Sequence, residues 1–274
     1  KRSIKSLIAN PKKIFSISSY FNVFVNLFNK SVPYQALSKN DKLKILNETH
    51  EILKNIADIE NNDFNNYSEI KQRDVSELNN FKLNPKYIQL KKIFKKNGTD
   101  KSNNQYDLIY IYLFDKYSFR INALLEVGIG SSDLNIYGNM GYNAIPGASI
   151  ISFKEFLDDT LIYGADIDPK IKIDVEGIKT YIVDQRSKNS LVSLSNKINN
   201  VQFIIDDGLH LPNANLLTFL VLHKKLSKNG IYIIEDIDKD FLDIYIIFSN
   251  LINGNFNIEI FKTRKRYILV AIKN

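Results

Sequence analysis

The rhythm of apolar and polar positions changes near residue 95. Beyond it, apolar runs of strand length at 123–127, 161–166, 179–184, 201–206 and 231–235 alternate with helical patterns at 106–117, 189–198 and 216–226, while 153–157 continues another helix. Runs such as Phe203-Ile204-Ile205 and Ile231-Tyr232-Ile233-Ile234 have no polar face, as strands covered on both sides do. Alternation of this kind requires right-handed crossovers, so the expected fold is α/β, a doubly wound and mostly parallel sheet. The ending differs. After a helix near 241–251, the runs at 256–262 and 266–272 are so close that only a hairpin can join them. The last strand is therefore expected to be antiparallel, the seventh in the sheet.

Residues 1–95 lack this alternation. They are expected to form a helical N-terminal extension, a lid or an oligomerisation element, with 96–274 as the larger domain. Its clearest helix is 41–58, where Leu43, Leu46, Leu53, Ile56 and Ala57 share one face and Lys42, Lys44, Glu48, Glu51 and Lys54 fall largely on another. His50 lies within it as a structural or solvent-facing residue. Residues 61–66, acidic and asparagine-rich, suit a loop, and Pro85 precedes a short helix at 87–94. The aromatic-rich stretch 14–28 is broken by Ser16, Ser18, Ser19, Asn22 and Asn26. It falls short of the roughly 18 to 20 apolar residues of a membrane span. It suits packing on the core, on another copy in a homo-oligomer, or on a membrane surface. The chain starts at Lys1 rather than Met, which leaves room for upstream residues, a targeting segment included.

Composition narrows the chemistry. A chain of 274 residues, 44% of them apolar, can bury a full core. It has no cysteine, which excludes disulfides, thiolate metal sites and a cysteine nucleophile, and agrees with a cytoplasmic setting. Any metal must be held by oxygen or imidazole. Lys and Arg number 37 against 30 Asp and Glu, a net charge of +7 that is scattered rather than blocked. Such a balance describes a lysine-rich surface, and mildly favours an acceptor that carries phosphate.

Acidic residues collect where the strands end. The fourth run ends in Asp206-Asp207-Gly208-Leu209-His210 and the fifth in Glu235-Asp236, and in open parallel sheets ligands sit at the carboxyl ends. Carboxylates gathered there need a cation, a proton or a polyol, and a metal site beside a base is the expected chemistry. Glu126, Gly128 and Gly130 form a glycine turn after the first strand, where backbone can approach a nucleotide or cofactor. Asp133 stands where the third glycine of a dinucleotide fingerprint belongs, which argues against a pyrophosphate. Asp166 and Asp168 end the second strand, suited to a ribose; Asp184 and Gln185 end the third, suited to an adenine amino group. His223, in a helix before Lys224-Lys225, is expected to be structural.

Together these features resemble a class I S-adenosylmethionine-dependent methyltransferase of Rossmann-like fold. In particular, Asn97-Gly98-Thr99-Asp100-Lys101, the stretch 125–130, Pro146-Gly147-Ala148-Ser149, Tyr163-Gly164-Ala165-Asp166-Ile167-Asp168, Asp184-Gln185, Asp206 to His210 and Glu235-Asp236 resemble the macrocin and mycinamicin sugar O-methyltransferases. The resemblance covers about 95–240. It implies Mg²⁺-dependent methylation of a sugar hydroxyl, with Asp207, Glu235 and Asp236 holding the metal and His210, with Asp207, doing the chemistry. It also implies S-adenosylmethionine contacts from Thr99, Lys101, Glu126, Gly128, Gly130, Ser131, Asp166, Asp168, Asp184, Gln185 and Asp206. Leu209 replaces a serine usual before the histidine, Asp238 stands where many relatives have histidine, and Asn103, Asn104 and Gln105 occupy another such place. These changes fall on the acceptor side.

The expected partner is a sugar or sugar nucleotide, in a natural-product, surface-polysaccharide or capsule pathway. A catechol-type O-methyltransferase is the nearest alternative, and a binding or assembly module that keeps the fold is the non-enzymatic one. A nucleic-acid partner is not expected, since His210-Leu211-Pro212-Asn213 follows the fourth strand where an Asn-Pro-Pro-Tyr-like segment would lie.

Overall fold

The computed structural model describes residues 38–60, 70–117, 121–141 and 145–274. The stretch 14–28 and the loop expected at 61–66 lie outside them. One eight-stranded sheet forms the centre: β1 (Lys71–Asp74), β2 (Ala123–Val127), β3 (Leu161–Asp166), β4 (Ile178–Ile182), β5 (Val201–Asp206), β6 (Leu226–Ile237), β7 (Phe256–Lys262) and β8 (Tyr267–Lys273), in the order β1-β7-β8-β6-β5-β2-β3-β4. Every pairing is parallel except those of β8, which runs antiparallel to both β6 and β7. The α/β class and the antiparallel last strand are as the sequence leads one to expect.

The strand count is not. Lys71-Gln72-Arg73-Asp74 adds an eighth strand, parallel to β7 at the sheet edge. It carries no apolar run because an edge strand needs none. Its anchor is Arg73, which donates from Nη1 to Glu259 on β7 at 3.0 Å and lies over the rings of Tyr112 and Phe261.

Seven helices, α1 (Lys39–Glu60), α2 (Pro85–Asn97), α3 (Tyr106–Lys116), α4 (Ala148–Phe156), α5 (Lys188–Ser195), α6 (Pro212–Leu222) and α7 (Leu242–Ile252), cover the two faces among the described residues. Strand side chains alternate between these faces. Tyr232 and Ile234 join one core with α1, α5, α6 and α7, while Ile231 and Ile233 join the other with α2, α3, α4 and a 3₁₀ turn at Val75–Leu83. Packing is thus continuous across the boundary expected near residue 95. Leu46, Leu53 and Ile56 of α1 are buried in the first core, and Leu78, Leu90 and Phe94 in the second.

From β2 the chain moves outward to β3 and β4, then crosses back to place β5 on the other side of β2. The crevice at this reversal is where open α/β sheets take ligands. No described helix is long and apolar enough to cross a membrane.

Candidate functional site

At the reversal, β2 ends in a turn that only glycine can build. Gly128 and Gly130 have φ of 90° and 86°, and a Cβ on Gly128 would stand 2.3 Å from the carbonyl oxygen of Asp207. This close approach fixes β2 against the end of β5. Asp207 N–H donates to the Val127 carbonyl at 2.8 Å, so the strands stay paired up to the acidic residues. Above the turn lies a cavity of about 380 Å³, within the range of small-molecule sites. Thr99, Gly128, Gly130, Ser131, Asp166 and Asp184 are among the residues that line it.

Asp207, His210 and Asp236 meet at one end of this cavity. Each offers one ligand atom, these atoms lie within 4.8 Å of one another, and His210 Nε2 is 4.0 Å from Asp236 Oδ2. Two of the three hold backbone conformations that side chains disfavour, φ 54° at His210 and φ 53° at Asp236. The second explains how the neighbours Glu235 and Asp236 are both reached from α3. Strict alternation would send them to opposite faces of the sheet. Instead, β6 carries an extra residue against β8 between Ile234 and Ile237, a bulge that turns Asp236 to the strand end. There Tyr106 of α3 donates its hydroxyl to Asp236, and Tyr110, one helical turn on, donates to Glu235.

Behind this trio lies a second layer of charge. Lys101, with 2% of its side chain exposed, places Nζ 2.9 Å from Asp207 Oδ2, 2.5 Å from Glu235 Oε2 and 3.1 Å from Glu126 Oε1. Burial alone would depress the Lys101 ammonium, yet Asp207, Glu126 and Glu235 hold it well above the usual lysine range. Burial, and then the charge on Asp207, pushes the Glu235 carboxyl well up; Glu126 is likewise raised by burial. One ammonium faces three carboxylates here, with Asp236 close by. The site is short of positive charge.

The remaining expected contacts divide. Asp166 accepts from the amides of Ile129 and Gly130 at 3.0 Å each, which pins the glycine turn to β3. Asp184 is clasped by Arg186, with Nε at 2.9 Å and Nη2 at 3.1 Å. Ser131 donates to Asp168 at 2.5 Å, an inward pair. Gln185 lines the cavity, but its amide group is engaged within the protein. Its amide donates to Asp206 at 2.7 Å and to Thr218 at 3.1 Å, and its oxygen accepts from the Leu209 amide at 2.9 Å. It splints the loop that carries His210, and Gly208 is needed because a Cβ there would meet Gln185 Oε1 at 2.0 Å.

Three placements depart from the expected direct contacts. Glu126 and Asp206 are fully buried behind the cavity wall, where burial raises Asp206 to about 6. Glu235 is engaged by Lys101 and Tyr110 and stands outside the trio. Each is engaged within the protein: Glu126 and Glu235 by Lys101 from the turn after α2, Asp206 by Gln185. Tyr106 and Tyr110 carry no motif, although two tyrosines four apart on a helix buried from Tyr106 to Leu113 must find acceptors for their hydroxyls. His50 is half-buried on α1. His223 is buried, shares a 2.8 Å hydrogen bond between Nδ1 and the Phe219 carbonyl, and stacks on the Phe219 ring, a packing role as expected.

No protein-family model matches the chain. It is 27% identical over 147 residues to 8-demethyl-8-alpha-L-rhamnosyl tetracenomycin-C 2'-O-methyltransferase of Streptomyces olivaceus, covering 53% of this chain and 37% of that one. It is 30% identical over 124 residues to demethylmacrocin O-methyltransferase of Streptomyces fradiae, covering 45% and 29%. Among solved structures, the mycinamycin-pathway methyltransferase MycE in complex with Mg, SAH and mycinamycin VI is 26% identical, with 54% of this chain and 36% of that one aligned at a TM-score of 0.46. The chain therefore matches about a third of the length of these relatives. The resemblance carried by its motifs is a resemblance to proteins named as sugar O-methyltransferases.

Proposed function

We propose that the protein transfers a methyl group from S-adenosylmethionine to a sugar hydroxyl with the help of Mg²⁺. The observation that carries this is the convergence of Asp207, His210 and Asp236 at one end of a cavity floored by the Gly128 turn. The donor set fits the ion: two carboxylates give hard oxygen ligands, and a partly exposed rim leaves positions for substrate oxygens. The turn fits the cofactor, because backbone without Cβ permits close approach and the acidic lining suits a sulfonium ligand rather than a pyrophosphate. When bound, S-adenosylmethionine supplies the electrophilic methyl group, and Mg²⁺ supplies a positive charge that favours the ionised acceptor hydroxyl.

The chain's own residues do the rest. Asp207 and Asp236 hold the ion, with Glu235 in reserve behind Lys101. His210, on a loop splinted by Gln185, takes the acceptor proton at an imidazole nitrogen. Gly128 and Gly130 position the cofactor beside this base, and alignment of the two reactants supplies much of the rate. Asp166 holds the turn in shape.

The mouth of the cavity narrows the acceptor. Ile136, Tyr137, Met140 and Ile145 stand around it, the last three well exposed. Its cationic lining residues, Lys101 and Arg186, are both ion-paired. Apolar groups at the entrance and committed cations favour a sugar carried on an apolar aglycone over a nucleotide-linked or capsule sugar, against the direction of the net charge. The same apolar mouth suits a flat aromatic diol, the catechol-type alternative. Isothermal titration with S-adenosylhomocysteine tests the cofactor site: saturable one-to-one binding is expected. No binding at millimolar ligand would reject the enzymatic reading in favour of a fold kept for assembly.

A further inference from the structure

Lys101 occupies a position that a simple structural ion pair does not need. It comes from the turn after α2, yet its ammonium reaches the ends of three adjacent strands, at Glu126 on β2, Asp207 just past β5 and Glu235 on β6. Two of its contacts are hydrogen bonds, to Asp207 at 2.9 Å and to Glu235 at 2.5 Å. The third partner differs. Glu126 is fully buried, and its oxygens make no hydrogen bond of good geometry, although Lys101 Nζ stands 3.1 Å from Oε1 and Ser149 is a second polar neighbour. A buried carboxylate left in that state is costly, so a cation that can settle on it is stabilised there.

Asp207 therefore belongs to two groups at once. One of its oxygens accepts from Lys101, while the side chain also faces His210 and Asp236 in the cluster assigned above to a divalent ion. An ammonium and a divalent cation on one carboxylate repel each other strongly in a medium of low dielectric. Lysine can yield, because its charge rides on a flexible four-carbon stem. Glu126 offers the place to go, at a distance that needs no movement of the backbone.

We propose that Lys101 is an internal cation of the site, which holds Asp207 and Glu235 in the absence of a divalent ion and withdraws onto Glu126 when one binds. This rests on the reading of the trio as a Mg²⁺ site. Lys101 is then a positioning residue. It keeps the inner carboxylates satisfied in the empty site, weakens the hold on the ion so that it exchanges, and frees Glu235 as a further ligand only when the ion arrives. Because Glu126 leads directly into the Gly128 turn, arrival of the ion also changes the charge balance beneath the cofactor floor.

Calorimetric titration of MgCl₂ into the cofactor-free protein tests the exchange. Removing the competitor with Lys101→Met should tighten Mg²⁺ binding at least about tenfold. Glu126→Gln takes away the alternative seat and should weaken Mg²⁺ binding. In the Lys101→Met background the same Glu126→Gln change should have little effect, since its influence passes through Lys101. A general loss of stability cannot move affinity in opposite directions. Unchanged or weaker binding in Lys101→Met, or an equal effect of Glu126→Gln in both backgrounds, would overturn the proposal. A crystal structure of the wild-type protein with Mg²⁺ tests it without any variant: Lys101 Nζ should bond Glu126 and leave both Asp207 and Glu235. An ammonium still bonded to Asp207 or to Glu235 beside the bound ion would refute it. Failure of the wild-type protein to bind Mg²⁺ would instead remove the metal reading itself.

Discussion

Two glycines of the same turn should respond very differently to alanine. Gly128 and Gly130 share a positive φ near 90°, so each substitution carries a left-handed backbone cost of about 1–2 kcal/mol. They differ in what the new methyl group meets. At 128 it would stand 2.3 Å from the Asp207 carbonyl oxygen and 2.4 Å from Gly208 Cα, both backbone, held by strand pairing on either side. The ends of β2 and β5 must then part, which adds an overpacking cost of about 1–3 kcal/mol. At 130 the methyl would meet Met140 Sδ at 1.9 Å, the flexible end of a half-exposed side chain that can swing away. Gly128→Ala should therefore lose about 2–5 kcal/mol and Gly130→Ala about 1–2. Urea unfolding followed by circular dichroism measures both, provided the slope of the transition is unchanged. Met140→Ala in the Gly130→Ala background should recover only the steric part of its loss. Equal costs at the two positions, or a greater cost at 130, would refute the assignment of the Gly128 contact as what locks the two strand ends together.

Further outcomes follow from the site and its frame. His210→Ala should lower kcat by about 10²- to 10⁴-fold while leaving S-adenosylhomocysteine affinity near wild type, and wild-type turnover would reject His210 as the base. Tyr110→Phe removes a hydroxyl that donates to the buried Glu235 and should cost about 1–3 kcal/mol in urea unfolding; a neutral result would show that Lys101 alone satisfies that carboxylate. Glu259 is a pH probe remote from the site. Burial would raise its carboxyl, but hydrogen bonds from Lys116, Tyr112 and Arg73 outweigh it and hold the group below its ordinary value of 4.5. Its folded value lies below the unfolded one, so its stabilisation is present above about pH 4.5 and is lost as pH falls through the folded value. Glu259→Gln should cost about 2–3 kcal/mol at neutral pH and flatten the acid limb of the stability profile; an acid limb as steep as wild type would contradict this.

How much of this was legible in the chain depends on what each element packs against. Strands such as 203–205 and 231–234 announce themselves because both faces are buried, and the hairpin at the end follows from a link too short for a crossover. β1 was silent because Lys71-Gln72-Arg73-Asp74 lies at an edge and is held by one arginine rather than by an apolar face. The apolar stripe of α1 was visible, but a stripe does not say which surface it covers, and α1 packs against α6 and α7. At the site, the acidic strand ends could be read directly. Their division could not, since it depends on the bulge at Asp236 and on Lys101 arriving from a distant turn to take up Glu235. Gln185 shows the same limit: its place at a strand end was legible, its inward turn toward Asp206 was not.

The most direct test uses S-adenosylmethionine carrying a labelled methyl group, offered to the protein with a set of glycosides and catechols and read by mass spectrometry. Label is expected on a sugar fragment, lost in chelator and restored by Mg²⁺, with glycosides of apolar aglycones as the best acceptors. Label on catechols and on no sugar, or transfer to sugar undiminished in chelator, would contradict the account.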